Sequence, residues 1–160
     1  MLRLEEITGK NVWELLELRV AEEQSGFVAS NTISVIEAYI AQTRGGRAFP
    51  FGLYDGGRAV GFVMMGYGVD ADWEDPPAIA RENYSLWRLM IDRRYQRRGY
   101  GRAAVGLALE FIRTMPCGRA DCCWLSYVPE NAAARQLYRS FGFRENGEMD
   151  GGEIISVLRL

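Results

Sequence analysis

A chain of 160 residues, 48% hydrophobic and 25% charged, is long enough for a substantial core and has an ordinary globular composition. Histidine is absent, Lys10 is the single lysine and the formal net charge is −2, which excludes Ser-His-Asp and Cys-His machinery, removes the commonest zinc ligand and argues against a nucleic-acid partner. No apolar run reaches membrane-spanning length and residues 1–7 lack a signal peptide's apolar region, so the expectation is a cytoplasmic protein with no membrane partner.

In chain order, residues 3–7 read as a strand ending at Thr8-Gly9. Asn11 is suited to cap a helix with Val12, Leu15, Leu16 and Val20 on one stripe. A second helix starts at Ser30 or Asn31, with Ile33, Ile36, Tyr39 and Ile40 expected inward, and ends near Gly45-Gly46. Residues 48–54 and 58–67, flanking Asp55-Gly56-Gly57, read as a hairpin. An acidic loop broken by prolines covers residues 70–77. Residues 86–91 form a mostly buried strand, and Asp92 to Tyr95 turns away from it. Ala104, Leu107, Ala108, Phe111, Ile112 and Met115 then recur at helical spacing. A strand over 121–128, a short helix over 131–140 and two closing strands, 143–149 and 153–160, complete a single expected domain, 1–160. Cys117, Cys122 and Cys123 are an odd set, and the adjacent pair would face opposite sides of a strand, so they read as reduced structural residues.

Chemistry concentrates in Gln96-Arg97-Arg98-Gly99-Tyr100-Gly101-Arg102, set between the buried strand and the long helix. Gly99 and Gly101 remove side chains where backbone must approach a ligand closely. Free N–H groups of a helix's first turn, its dipole and flanking arginines together favour a phosphate or pyrophosphate. The loop lacks the Lys-Ser/Thr ending with which a P-loop holds phosphate and magnesium, and no metal site is expected.

Further along, Asn131-Ala132-Ala133-Ala134-Arg135-Gln136-Leu137-Tyr138 is followed by Phe141-Gly142-Phe143. The ordered combination Q-x-x-G-x-G, then N-x-x-A-x-x-L-Y-x-x-x-G-F, resembles the GCN5-related N-acetyltransferase (GNAT) family, and the likeness covers nearly the whole chain. The resemblance implies an α/β (α+β) fold: a central mixed, mostly antiparallel sheet, splayed at the cofactor site and flanked by helices. It implies acetyl-CoA as cosubstrate, its pantetheine arm pairing as an extra strand between Leu89-Met90-Ile91 and Leu125-Ser126-Tyr127. The pyrophosphate would rest on Gln96, Arg97, Arg98, Gly99, Tyr100, Gly101 and Arg102, with Asn131 and Arg135 completing the cofactor set. Asn131 also suits a helix N-cap, and both roles are compatible.

Tyr138 matches the family's general acid, donating a proton to the coenzyme A thiolate; by periodicity alone it shares a core stripe with Ala134, Leu137 and Phe141. A backbone N–H near Met90 or Ile91 would stabilise the oxyanion. The acceptor amine must first lose a proton, at roughly 4 to 5 kcal/mol for a lysine-like amine at neutral pH. Without histidine the base must be a carboxylate, a tyrosine or a water chain leading to one; Glu82, Glu22 and Glu23 are the available carboxylates and remain alternatives.

Within the family, Glu22 to Asn31 and the L-W-R-L-M-I-D-R-R-Y-Q segment are most similar to the bacterial spermine/spermidine (diamine) acetyltransferase branch. That implies a small-molecule amine as partner. A polycation suits Glu22, Glu23, Glu37, Asp70, Asp72, Glu74 and Asp75, with cation–π contacts from Phe27, Trp73, Tyr84 and Trp87. Other amine acceptors, or a CoA-binding regulatory module without turnover, are the alternatives, and a homodimer through the last strands is compatible with the fold.

Overall fold

In the computed structural model, which describes residues 1–160, the sheet is built around the expected hairpin. Strands β2 (Arg47–Asp55) and β3 (Arg58–Tyr67) pair antiparallel across Gly56 and Gly57, whose φ values of +58° and +80° suit a two-residue type I′ turn. Strand β1 (Leu2–Glu6) pairs with the outer edge of β2, and β4 (Tyr84–Ile91) with the other edge of β3. Beyond β4 lie β5 (Cys122–Tyr127), β7 (Glu153–Arg159) and β6 (Arg144–Asp150), giving seven strands in the order β1-β2-β3-β4-β5-β7-β6. Only β4 and β5 are parallel, because the helix between them carries the chain back across the sheet. The α/β architecture is the one expected.

That crossover helix, α3 (Tyr100–Arg113), buries Ala104, Val105, Ala108, Leu109 and Ile112 against Tyr84, Leu86, Cys123 and Leu125. The opposite face is covered by α1 (Val12–Glu17) and α2 (Asn31–Thr43), with Leu15, Leu18, Ala38 and Ala41 against Phe62, Met64 and Met90. A short helix, α4 (Ala132–Ser140), precedes the β6–β7 hairpin and lays Ala134, Leu137 and Tyr138 on the α3 side. Single 3-10 turns at Glu22–Gln24 and Ala78–Ala80 mark the two long loops. No helix is long and apolar enough to cross a membrane.

Two expectations fail on the helices beside β3. Asn11 does not cap α1: its Oδ1 accepts from Thr8 N at 2.8 Å and its Nδ2 donates to the Glu6 carbonyl at 3.0 Å, fastening the turn after β1. More consequentially, α2 is rotated relative to the inward stripe expected from its large apolar residues. Ile33, Ile36, Tyr39 and Ile40 are exposed, whereas Asn31, Ser34, Ala38 and Ala41 are buried. Small side chains let the helix backbone lie close to the sheet, and Asn31 Nδ2 donates to the Leu15 carbonyl at 2.7 Å, satisfying a buried acceptor. Ser30 is the N-cap, its Oγ accepting from Ile33 N at 3.2 Å.

Candidate active site

The pairing of β4 with β5 ends after Tyr84 with Cys123 and Ser85 with Trp124. Past that point the strands diverge. Trp87 has no opposite residue on β3, because the register shifts between Met64 and Met65, and such a bulge bends the strand that carries it. Unpaired backbone of β4 therefore faces unpaired backbone of β5 across a gap, a place where an extended ligand arm could pair as a strand. The gap opens into a cleft of 1320 Å³ lined by residues from both sheet faces. A usual small-molecule pocket has roughly 300–1,000 Å³, so this cleft has room for two substrates.

One wall is made by the loop and helix start after β4. From Gln96 to Gly99 no backbone N–H donates to a backbone carbonyl, and the first bond of α3 is Ala103 N to Gly99 O, which leaves Tyr100, Gly101 and Arg102 N–H free as well. Arg97 and Gly99 lie in the left-handed region, at φ +60° and +82°. Arg97, a non-glycine residue there, carries local strain of a kind that collects at ligand clamps. A Cβ on Gly101 would meet nothing closer than Leu137 Cδ2 at 3.7 Å, so packing does not demand glycine there. A ligand lying on the helix N-terminus would, and a run of free N–H groups, with Gln96, Arg97, Tyr100 and Gly101 lining the cleft, suits a pyrophosphate. Gln96 is held from below, its Nε2 donating to the Ile91 carbonyl at 3.0 Å and to Gln24 Oε1 at 2.7 Å.

Of the expected cosubstrate residues, Leu89, Met90, Ile91, Gln96, Arg97, Tyr100, Gly101 and Asn131 line the cleft. Arg98, Gly99, Arg102 and Arg135 do not. Arg98 lies over the Tyr95 ring at 5.7 Å, and Arg102 covers Phe141 at 5.0 Å while donating to Ser140 Oγ at 3.0 Å. Arg135 is exposed and forms a forked ion pair with Glu145, at 2.5 and 2.9 Å. Asn131 caps α4, its Oδ1 accepting from Ala134 N at 3.2 Å, with Nδ2 left for another partner.

Tyr138 lines the cleft from α4, with its ring stacked on Tyr127 at 6.1 Å and edge-on to Phe143 at 5.9 Å. Burial pushes its phenol well above the ordinary value, and Cys123 adds to the shift. The proton therefore stays on the oxygen throughout the physiological range.

The facing wall carries most of the residues that the sequence assigns to the acceptor side. Of these, Glu23, Glu37, Asp70, Asp72, Phe27, Trp73 and Trp87 line the cleft, but Glu22 and Glu82 are exposed outside it and Tyr84 is core, its hydroxyl donating to the Gly118 carbonyl at 2.8 Å. Glu74 and Asp75 are also outside the lining. Two carboxylates are already paired, Glu37 with Arg88 Nη2 at 2.7 Å and Asp72 with Arg44 Nε at 3.0 Å. Reading the sequence missed Arg88, Asp150 and Glu153, which also line the cleft. Asp150 and Glu153 face each other across the β6–β7 turn, and only strand register brings them there.

The walls are joined at Asp92, at the end of β4. Its carboxylate is buried and accepts from Arg19 N at 3.0 Å, Arg94 N at 3.0 Å and Arg94 Nε at 2.7 Å. Burial alone would raise this carboxyl, but those bonds outweigh it and hold the group below its usual range.

Known proteins agree with this geometry. The acetyltransferase (GNAT) family model matches residues 8–143. The chain is 29% identical to a spermine/spermidine N(1)-acetyltransferase of Bacillus subtilis, over 99% of both chains. In fold it is similar to an aminoglycoside acetyltransferase solved with coenzyme A (TM-score 0.76, 15% identity, 99% and 95% of the two chains). It is likewise similar to the PaiA N-acetyltransferase of Thermoplasma acidophilum, also with coenzyme A (TM-score 0.69, 13% identity, 100% and 99%). With a family match over most of its length, the splayed sheet and the free-amide cradle, the chain belongs to the acetyltransferase (GNAT) family and is an acetyl-CoA-dependent N-acetyltransferase.

Proposed function

We propose that the acceptor is a polyamine or diamine, acetylated on a primary amine by direct transfer. The observation that carries this reading is the charge of the acceptor wall. Glu23, Asp70, Asp150 and Glu153 line it without an ion-pair partner, beside the indoles of Trp73 and Trp87. Spaced carboxylates and aromatic faces suit a flexible chain bearing several ammonium groups. The Bacillus relative, named for spermine and spermidine, supports the same class.

In this reading the free amides from Gln96 to Arg102 hold the pyrophosphate, and the backbone edges of β4 and β5 hold the arm. A backbone N–H of Met90 or Ile91 on the gap side stabilises the oxyanion that develops on the thioester carbonyl. Tyr138, kept protonated by burial, donates to the departing thiolate and recovers a proton from the newly acylated nitrogen. No covalent enzyme intermediate is required, because one cleft holds both substrates.

The test is thiol release from acetyl-CoA across spermine, spermidine, diamines, aminoglycosides and short peptides. Saturable turnover with polyamines is the expected result. Turnover confined to another amine would overturn the polyamine assignment. Acetyl-CoA binding without turnover of any amine would point to a regulatory module.

A further inference from the structure

The transfer proposed above needs a group on the acceptor wall to take the ammonium proton, and the carboxylates expected from the sequence are poorly placed to supply one. Glu22 and Glu82 are outside the cleft, and Glu23 is exposed at its mouth. Glu37 and Asp72 are held by Arg88 and Arg44, and Asp70 Oδ1 accepts from Asp72 N at 2.9 Å. Asp150 and Glu153 remain. Glu153 opens β7, and the next residue, Ile154, pairs with Tyr127 of β5, the strand whose other edge forms the gap. Its side chain is on the face that carries Ile155 and Val157, packed with Trp124. It is therefore on the acceptor side of the sheet, whereas Tyr138 packs on the other face with Tyr127 and Phe143.

We propose that Glu153 is the general base, taking one proton from the acceptor ammonium directly or through a single water. This rests on the amine-acetylation reading. The proton count closes. A primary ammonium carries three N–H bonds and the product amide one. One proton goes to Glu153 and then to solvent, and one leaves the nitrogen as Tyr138 protonates the thiolate. The N–C bond forms as the C–S bond breaks.

The surroundings suit the task. Burial raises the Glu153 carboxyl above its ordinary value, Arg88 on β4 pulls it down, Asp150 across the turn raises it, and the Ser126 hydroxyl on β5 lowers it, with a net rise. Asp150 is itself raised, by burial and by Asp75 of the loop before β4. Arg88 is shared with Glu37 of α2, so its charge is partly spent before it reaches Glu153. A carboxylate raised toward neutrality is a better base at working pH than a solvated one.

The deciding experiment is the pH profile of kcat/KM for wild type, Glu153→Gln and Asp150→Asn with the best amine found in the thiol-release panel. Acetyl-CoA affinity and thermal midpoint are measured alongside. Glu153→Gln is expected to lower kcat by roughly 10²-fold, as removal of a general base does. It should abolish the acid limb while leaving acetyl-CoA binding and the midpoint near wild type. Asp150→Asn is expected to move the acid limb to lower pH, since one negative neighbour of Glu153 is gone; the position of the limb is the readout, whatever the height of the plateau. An unchanged kcat and limb in Glu153→Gln would overturn the proposal while wild-type turnover leaves the amine reading intact. A raised amine KM at wild-type kcat would also overturn it, making Glu153 an ammonium-binding group. Should Glu153→Gln lose acetyl-CoA binding and midpoint, an unmoved limb in Asp150→Asn decides against the base. Wild type silent with every amine would overturn the acetyl-transfer reading and the base together.

Discussion

In the proposed arrangement, facing walls of one cleft meet their ligands with different parts of the chain. The cosubstrate wall presents mainly backbone: consecutive free N–H groups over Gln96–Arg102 and the open edges of β4 and β5. The acceptor wall presents side chains drawn from the loop at Glu23, helix α2, the loop at Asp70–Asp72, strand β4 and the β6–β7 hairpin. Backbone recognition is local in sequence and tolerates change in the side chains around it. Recognition by scattered carboxylates depends on the whole tertiary arrangement and is easily retuned for a new amine.

Tyr138→Phe should have the largest effect, because the proposed mechanism has this side chain protonate the departing thiolate. A loss of roughly 10²-fold or more in kcat is expected. The ring contacts with Tyr127 and Phe143 need no hydroxyl, so acetyl-CoA binding and thermal midpoint should be kept. An unchanged kcat would remove Tyr138 from the mechanism. The raised phenol also predicts no fall of kcat through the ordinary tyrosine range near pH 10.

Gly101→Ala tests whether the cosubstrate wall works by backbone approach. The added methyl has room in the fold, and alanine favours a helix over glycine, so stability should hold or rise by roughly 0.4–1 kcal/mol. KM for acetyl-CoA should rise about tenfold, equivalent to about 1.4 kcal/mol, with the amine KM unchanged. Equal effects on both substrates would break the division between the walls.

Asp92→Asn tests the joint between them. The carboxyl is held below its usual value in the fold, so it contributes stability above the unfolded value near 3.9, and that stability is lost as pH falls through the lowered folded value. The variant should be less stable at pH 7 and should show a flatter decline into acid, measured by urea midpoints. If wild type and variant decline in parallel, Asp92 is not the acid-sensitive joint.

How far the sequence could be read follows the same division. Gln96–Arg102 was legible because a strand, a glycine-rich turn and a helix start are consecutive, and the physics of a helix N-terminus needs no distant residue. The helix α2 was found by its period, but not its orientation. Ile33, Ile36, Tyr39 and Ile40 form the more apolar stripe, yet close approach to the sheet and the bond from Asn31 to the Leu15 carbonyl favoured the small face. Glu153 could not be found from spacing. It lies far along the chain from Arg88, Glu37 and Trp87, and only the order β4-β5-β7 and the divergence of β4 from β5 bring them to one cleft.

Arg135→Ala is the smallest expected effect and the sharpest check on where the cosubstrate wall ends. The resemblance alone places Arg135 in the cofactor-binding set, four residues after Asn131 on the same helix. In the fold its guanidinium is turned out to solvent and committed to both oxygens of Glu145 on β6, which also accepts from the Tyr127 hydroxyl at 3.0 Å. An exposed ion pair is screened by water and salt and contributes little. Removing it should therefore change KM for acetyl-CoA by less than about twofold at physiological salt and leave kcat unaltered. A tenfold rise in that KM would mean that the Glu145 pair breaks when acetyl-CoA binds, and that the cosubstrate wall, like the acceptor wall, depends on a charged side chain as well as on backbone.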